Sequence, residues 1–434
     1  MLPTGAAAPL RLAGRGARSL PSNLSKCAST ARAASRTRQI STAVLSPAGC
    51  CRRAYPVSSS SAVKLGPSTS RHFTSASTRS SQQPFQFLTA YAFQGKPRRS
   101  EDLSQEGDPS ASASATEEDG QSSAASDASS RKKEIGFPAD SEIGRWRDEL
   151  LGGGEAGEDS LMCTSMGKAG DMAIGVADGV GGWTENGIDP SLFSQALMFY
   201  ASRSAAQASA EPDSGIAPNR ILAESFEQVL KEPLVVAGSA TACILTLDST
   251  TGKLQSANLG DSGFVILRQG TGKQGVFHAS PPQQLGFNTP LQLAKLPKEW
   301  AQEGSIANTP KDAAAWDCTL QHGDLIIVGT DGLFDNVDAK NEIPQFAKFI
   351  KEKHHASYTA RHAGADKADK QDSLEEDREF VQVLATNLVE YAKICQNSTT
   401  KQSPFEREAA RYGIHFPGGK IDDVALVCCL VIER

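Results

Sequence analysis

Short apolar runs recur along the chain from residue 172 to residue 432, and each has the length of a single β-strand. They cover 172–177, 241–247, 254–260, 264–268, 325–330 and 424–432. The aromatic-rich segment 85–95 has the composition of a further strand. A helical spacing of apolar positions predicts helices at 190–209, 217–231, 342–354 and 374–395. Segment 355–377 is polar, and we predict a surface excursion there.

The order of these elements indicates the fold class. Strands follow one another in hairpin-like pairs instead of alternating strictly with helices, which favours an α+β fold with antiparallel sheets and helices packed outside them. We assign the globular domain to 85–434. Within it, residues 100–130 are acidic, rich in Ser and Ala, and nearly devoid of large apolar side chains. Such a segment cannot bury enough surface to order itself, so we predict a disordered insertion at about 100–134.

The N-terminal part of the chain has an unusual charge pattern. Residues 1–100 contain fifteen Lys and Arg but no Asp or Glu, in a chain whose net charge is −6. An acid-free segment rich in Arg, Ser and Ala is typical of a mitochondrial or plastid transit peptide. A disordered basic tail that binds nucleic acid or anionic surfaces is the alternative. We favour a mitochondrial transit peptide with a disordered spacer over 1–84, and we expect the matrix as the destination.

Other features exclude several classes of protein. No run of 18 or more apolar residues occurs, so no membrane span is predicted, and no secretory signal is present. The nine cysteines include no Cys-x-x-Cys pair, which indicates free thiols in a reducing compartment. Cys428 alone has an Arg six residues later, Arg434, as a thiol phosphatase would require, but it lies inside an apolar run and we interpret it as a small core residue. No P-loop motif is present. We predict no nucleic-acid partner and expect a monomer.

Acidic residues stand repeatedly at the borders of the apolar strands, beside glycine or another small residue. The stretches are GEDS, with Glu158 and Asp159; GVADGVGGW, with Asp178; NLGDSGF, with Asp261; GTDGLFDNV, with Asp331; and GGKIDDV, with Asp422 and Asp423. Each could be only a turn, because Asp and Gly are common turn formers. Strand ends on one edge of a sheet can also converge in space. Converging carboxylates would repel one another unless cations neutralised them, and Mg²⁺ and Mn²⁺ prefer such oxygen ligands.

The stretches GVADGVGGW, SANLGDSGF, GTDGLFDN and GGKIDDVAL, in this order and spacing, resemble the metal-dependent protein phosphatases of type 2C, the PPM family. GVADGVGGWTENGIDPSLFS and GFNTPLQL resemble the mitochondrial branch of that family. The resemblance covers about 135–434 and extends to the strand near residue 85. It implies a four-layer αββα sandwich, in which two antiparallel sheets are flanked by helices.

The resemblance also implies a binuclear Mn²⁺ or Mg²⁺ centre, with a weaker third ion. Asp178 would bridge the two ions, Gly179 would add its carbonyl, and Asp331 would be a further catalytic ligand. The remaining implied ligands are Asp422, Glu158 (through water) and Asp261, the last for the third ion. A metal-bridging hydroxide would then attack phosphorus directly, without a covalent enzyme intermediate.

Two positions depart from the pattern of many family members. Val180 stands where a His is thought to protonate the leaving group, and Gly154 stands where an Arg binds phosphate. Arg145 and Arg147 could replace that Arg, although we prefer to interpret them as surface charge. Asp423 replaces a more usual Asn. We interpret Trp183 as a packing residue beside the site, and 286–293 is either a loop near the cleft or an ordinary surface loop.

We therefore predict a metal-dependent phosphatase that acts on phosphoserine and phosphothreonine in mitochondrial proteins. The resemblance suggests substrates among matrix metabolic enzymes, in quinone biosynthesis or mitophagy control. A hydrolase of small phosphoesters would use the same carboxylates but would need a closed pocket. A pseudophosphatase, which keeps the fold as a binding module, is the alternative from another class. Retention of Asp178, Asp331 and Asp422 speaks against it, whereas Val180 and Gly154 speak mildly for it.

Overall fold

The structure is a computed structural model, and it describes residues 84–97, 135–167, 170–208, 217–271, 275–300, 305–362 and 370–434. Residues 1–83 of the predicted transit peptide and spacer lie outside the described residues, as does the predicted insertion at 100–134. The boundaries predicted for these segments therefore stay predictions.

The described residues form fourteen strands and seven α-helices. The strands are β1 (Phe85–Gln94), β2 (Asp159–Ser165), β3 (Met172–Asp178), β4 (Gly238–Ala240), β5 (Ala242–Leu247), β6 (Lys253–Leu259), β7 (Gly263–Leu267), β8 (Val276–Ala279), β9 (Gln284–Gly286), β10 (Thr289–Pro290), β11 (Leu293–Lys295), β12 (Ala314–Thr319), β13 (Leu325–Gly329) and β14 (Val424–Glu433). The helices are α1 (Glu142–Leu151), α2 (Pro190–Gln207), α3 (Pro218–Lys231), α4 (Asp331–Phe334), α5 (Glu342–Arg361), α6 (Lys370–Gln396) and α7 (Pro404–Arg411).

Two five-stranded antiparallel sheets form the centre of the domain. One has the strand order β1-β14-β13-β7-β8, and the other has the order β12-β6-β5-β3-β2. Side chains from both sheets make one buried cluster, which includes Tyr91 and Val427 from the first sheet and Ile174 and Leu245 from the second. Alternate positions of each strand face this shared core, because successive side chains of a strand point to opposite faces.

Helices cover the outer faces of the two sheets. Phe193 and Leu197 of α2 and Ile221 of α3 form a second buried cluster with Met162 and Ile244 from the β2-containing sheet. On the other side, α6 packs against β1 and β14, and α5 packs against α6. The predicted α+β class and the four-layer αββα order are confirmed. Among the helices of the described residues, none has the length and apolarity needed to cross a membrane.

The segment 355–377, predicted as a polar surface excursion, is helical in two of its described parts. Helix α5 continues to Arg361, and α6 already begins at Lys370. Two ion pairs join the helices here, His355 with Glu376 and Arg361 with Glu379. Charged pairs on exposed helix faces leave no apolar period for sequence reasoning to detect.

Candidate metal centre

The topology brings the acidic strand borders to one end of the sandwich. Asp178 ends β3 directly opposite Asp159, the first residue of β2, and Glu158 precedes it. The neighbouring strands β13 and β14 place Asp331 and Asp422 at the same end, since Gly329 pairs with Leu426. Sequence-distant acids thus become neighbours.

The carboxylates are buried close enough together to perturb one another. Burial raises the pKa of Asp178 well above its usual range, and the neighbouring Asp331 carboxylate raises it further. Burial and Asp331 likewise raise the pKa of Asp422, and they raise the pKa of Asp261 to about 6. Burial also raises the pKa of Glu158, although the nearby Lys96 ammonium group acts to lower it. All five predicted acidic ligands therefore belong to one electrostatic cluster.

Two lysines that were not predicted as site residues neutralise part of this cluster. Lys420 Nζ contacts Asp331 Oδ2 and lies 2.9 Å from Asp335 Oδ2 and 3.1 Å from Asp422 Oδ2. Lys96 Nζ lies 2.8 Å from Glu158 Oε2 and 3.4 Å from Asp422 Oδ1.

The lysines and carboxylates shift one another's pKa values in opposite directions. Burial alone would lower the pKa of Lys420 and raise that of Asp331. The pair instead holds the pKa of Lys420 above its usual range and that of Asp331 below it. Asp335, which was also not predicted, has its pKa raised to about 8, chiefly by burial.

Asp423 organises the backbone around the site. Its side chain is buried, and its two oxygens accept hydrogen bonds from different backbone groups: Oδ1 from the Lys96 N–H at 2.6 Å and Oδ2 from the Glu158 N–H at 2.9 Å. A carboxylate, which is acceptor-only when ionised, suits two such donors, whereas an amide offers only one acceptor atom. This geometry explains the Asp at a position where many family members have Asn.

Gly179 is required by its close backbone neighbours. A Cβ built on this residue would lie 2.7 Å from the Pro190 carbonyl oxygen and 2.8 Å from that of Glu158. The Gly179 N–H donates to the Glu158 carbonyl at 3.1 Å, which ties the turn after β3 to the residue before β2. The glycine after Asp178 therefore allows this close approach, as the sequence suggested.

The chemistry of the donor set fits a hard divalent cation. Asp261 Oδ1 is buried without a hydrogen-bond partner. A bound cation would give this oxygen the partner that it lacks. The other donors are carboxylate oxygens and one backbone carbonyl, which Mg²⁺ and Mn²⁺ prefer. As the side chains stand, no three His, Cys, Asp or Glu of the described residues are arranged to hold one ion. The ammonium groups of Lys96 and Lys420 lie between the carboxylates, so ion binding requires side chains to turn.

The positions that depart from the family pattern also have structural explanations. A Cβ on Gly154 would lie 2.8 Å from Phe93 Cε2, so β1 fills the space that a side chain there would need. Arg147 is buried, and its Nη1 donates to the carbonyls of Ile135 and Phe137 at 3.1 and 2.8 Å. Its interpretation as surface charge was therefore wrong. Arg145 is engaged too, because its guanidinium donates to the Asp140 carbonyl.

Two further stretches singled out in the sequence have defined contacts, Trp183 and the hairpin within 286–293. Trp183 Nε1 donates to Ser239 Oγ at 2.6 Å, and its ring stacks on Trp300 with centroids 6.3 Å apart. This geometry agrees with a packing role for Trp183. The hairpin β9–β10 reaches the site, because Lys420 Nζ lies 3.2 Å from Asn288 Oδ1. Within 286–293, Asn288 therefore lies at the site, whereas Leu293 is buried and begins β11.

The chain is similar in sequence to known protein phosphatases. The family profile described as Stage II sporulation protein E (SpoIIE) matches residues 168–379. The chain is 38% identical over 280 residues to the protein phosphatase PTC7 homolog fig of Drosophila virilis, an alignment that covers 64% of this chain and 79% of that relative. It is 34% identical over 288 residues to the human protein phosphatase PTC7 homolog, and this alignment covers 66% of this chain and 84% of that relative. Among solved structures, the chain superimposes on the X-ray structure of the photosystem II phosphatase PBCP with a TM-score of 0.47 and 26% sequence identity. The match covers 64% of this chain and 92% of the PBCP chain.

Proposed function

Because the chain belongs to the PPM family of type 2C protein phosphatases, within its PTC7 group, we propose that it hydrolyses phosphoserine and phosphothreonine in mitochondrial proteins with the help of two Mn²⁺ or Mg²⁺ ions. The single observation that carries the chemical part of this proposal is the convergence of five carboxylates. They come from five separate strand borders and share one buried cluster: Glu158, Asp178, Asp261, Asp331 and Asp422.

The roles of the residues follow from their positions. Asp178, Asp331 and Asp422 would hold the ions, assisted by the Gly179 carbonyl, with Glu158 and Asp261 at the periphery. The ions, when bound, would lower the pKa of water and screen the charge of the phosphoryl oxygens. Buried carboxylates that repel one another supply the driving force for cation binding.

The mitochondrial part of the proposal depends on the N-terminal sequence. An acid-free stretch of 100 residues with fifteen Lys and Arg is typical of a matrix-targeting segment. Phosphorylated matrix proteins would then be the substrates. A fusion of residues 1–84 to a fluorescent protein should enter mitochondria, and a fusion that stays in the cytosol would contradict this location.

The experiment that tests the activity is hydrolysis of phosphothreonine and phosphoserine peptides by the full 434-residue chain. We expect phosphate release with Mn²⁺ or Mg²⁺, none with a chelator, and a loss of at least about a thousandfold in Asp178→Ala and Asp331→Ala. A folded chain that binds Mn²⁺ but releases no phosphate would support the pseudophosphatase alternative instead.

A further inference from the structure

The ammonium group of Lys96 lies at the rim of the carboxylate cluster. Lys96 follows β1, whose last residue, Gln94, pairs with Val424 at the start of β14. This register places Lys96 beside the acids that precede β14. Its Nζ lies 2.8 Å from Glu158 Oε2, 3.4 Å from Asp422 Oδ1 and 3.5 Å from an oxygen of the adjacent Asp423.

The backbone of Lys96 is fixed although its side chain is long. The Lys96 N–H donates to Asp423 Oδ1 at 2.6 Å, and the preceding Gly95 N–H donates to the Glu155 carbonyl at 2.9 Å. The four-carbon stem therefore turns about a fixed point. Nζ can move away from Glu158 without any change in the fold.

The side chain of Lys96 is more accessible than that of Lys420, the other lysine that contacts the carboxylates. The Lys96 side chain is 34% exposed, whereas that of Lys420 is 15% exposed and is held by three carboxylates. Lys393 donates to the Asp422 main-chain carbonyl at 2.7 Å. An anion that approaches from solvent would therefore meet the Lys96 ammonium group before that of Lys420.

We propose that Lys96 binds a phosphoryl oxygen of the substrate and of the inorganic phosphate that is released. This inference rests on the proposed function, because it concerns the same site. Lysine binds phosphate as a compact point charge, and the surrounding carboxylates would repel a phosphate dianion that lacked such a partner. A cation bound to Glu158 and Asp422 would compensate their charge and leave the Lys96 ammonium group free to turn toward the anion.

The test is binding of inorganic phosphate to the full chain in saturating Mn²⁺, measured by calorimetry and as competitive inhibition of phosphopeptide hydrolysis. We expect Lys96→Met to weaken phosphate binding about ten- to hundredfold, the value of a hydrogen bond between charged groups. The KM for a phosphothreonine peptide should rise similarly, and Lys96→Arg should restore most of the affinity. Lys348→Met is the matched control, because Lys348 is 79% exposed and its ammonium group pairs with Glu352, one turn further along the same helix.

Calorimetry with Mn²⁺ alone separates two roles. If Lys96→Met binds phosphate as tightly as the wild type but changes the Mn²⁺ affinity, Lys96 only balances the charge of the carboxylates and the proposal is overturned. A wild-type chain that binds phosphate through Lys96 without hydrolysing any peptide would contradict the proposed function and leave this inference standing. A wild-type chain that binds no phosphate in Mn²⁺ would overturn the inference itself.

Discussion

Replacing Asp423 with Asn separates the backbone role of this residue from its charge. Asp423 is 2% exposed, and each of its oxygens accepts one backbone hydrogen bond, from Lys96 and from Glu158. The amide of Asn can keep only one of these bonds, because its nitrogen would face the second N–H donor. The side chain packs directly against Gly157, since a Cβ at that glycine would overlap the carboxylate.

The expected cost follows from the lost bond. A hydrogen bond to a charged group contributes about 1.5 to 3 kcal/mol, and the substitution leaves the backbone N–H of Lys96 or of Glu158 without its carboxylate partner. A neutral amide costs less to bury than a carboxylate, which offsets part of the loss. We therefore expect Asp423→Asn to lower the free energy of unfolding by about 1.5 to 2 kcal/mol, near the lower end of that range.

The assay is urea unfolding of the metal-free full chain, followed by two probes so that the two-state assumption is checked. Asp248→Asn is the matched control. Both backbone donors of Asp248, from Thr250 and Thr251, bond to the single oxygen Oδ1, so an amide can keep both. Equal stability of Asp423→Asn and the wild type, within about 0.5 kcal/mol, would refute the assigned role.

Three further substitutions test other contacts. Gly154→Arg should destabilise the chain by about 1 to 3 kcal/mol without raising turnover, because Phe93 fills the space; higher turnover would contradict this. Asp324→Ala should lower the free energy of unfolding, measured in urea, by about 3 to 5 kcal/mol, because it leaves the charge of Arg268 buried without its partner. Replacing both residues with well-packed apolar side chains should recover much of that loss. Gly332→Ala should weaken Mn²⁺ binding measured by calorimetry, because the added methyl would overlap the backbone that precedes β14; unchanged affinity would contradict this.

The elements that could be predicted from the sequence are those with a hydrophobic pattern inside a short segment. The strands at the centre of each sheet are apolar runs, because both of their faces are buried, and they were predicted within one or two residues. The acids at their borders could be grouped because antiparallel pairing brings strand ends together. The short strands β8 to β11 carry two to four residues each, too few for any period to appear.

The lysines of the site could not be found in the same way. Lys96 contacts Asp422 across 326 positions of sequence, and no local pattern records such a contact. Lys420, in contrast, lies inside the stretch GGKIDDV, which was already singled out for its acids. Its position two residues before Asp422 was the signal that could have identified it as a site residue. The role of Asp423 also depends on donors that are distant in sequence, since Lys96 follows β1 and Glu158 precedes β2.

The most direct test of the central claim is a count of bound Mn²⁺ ions per full-length chain by electron paramagnetic resonance. The account predicts two tightly bound ions in the wild type, with a third at higher concentration. Asp178→Ala, verified as folded by circular dichroism, should bind none at the concentration that saturates the wild type. A wild-type chain that binds no Mn²⁺ while hydrolysing a phosphopeptide would contradict the account, as would an Asp178→Ala chain that still binds two ions.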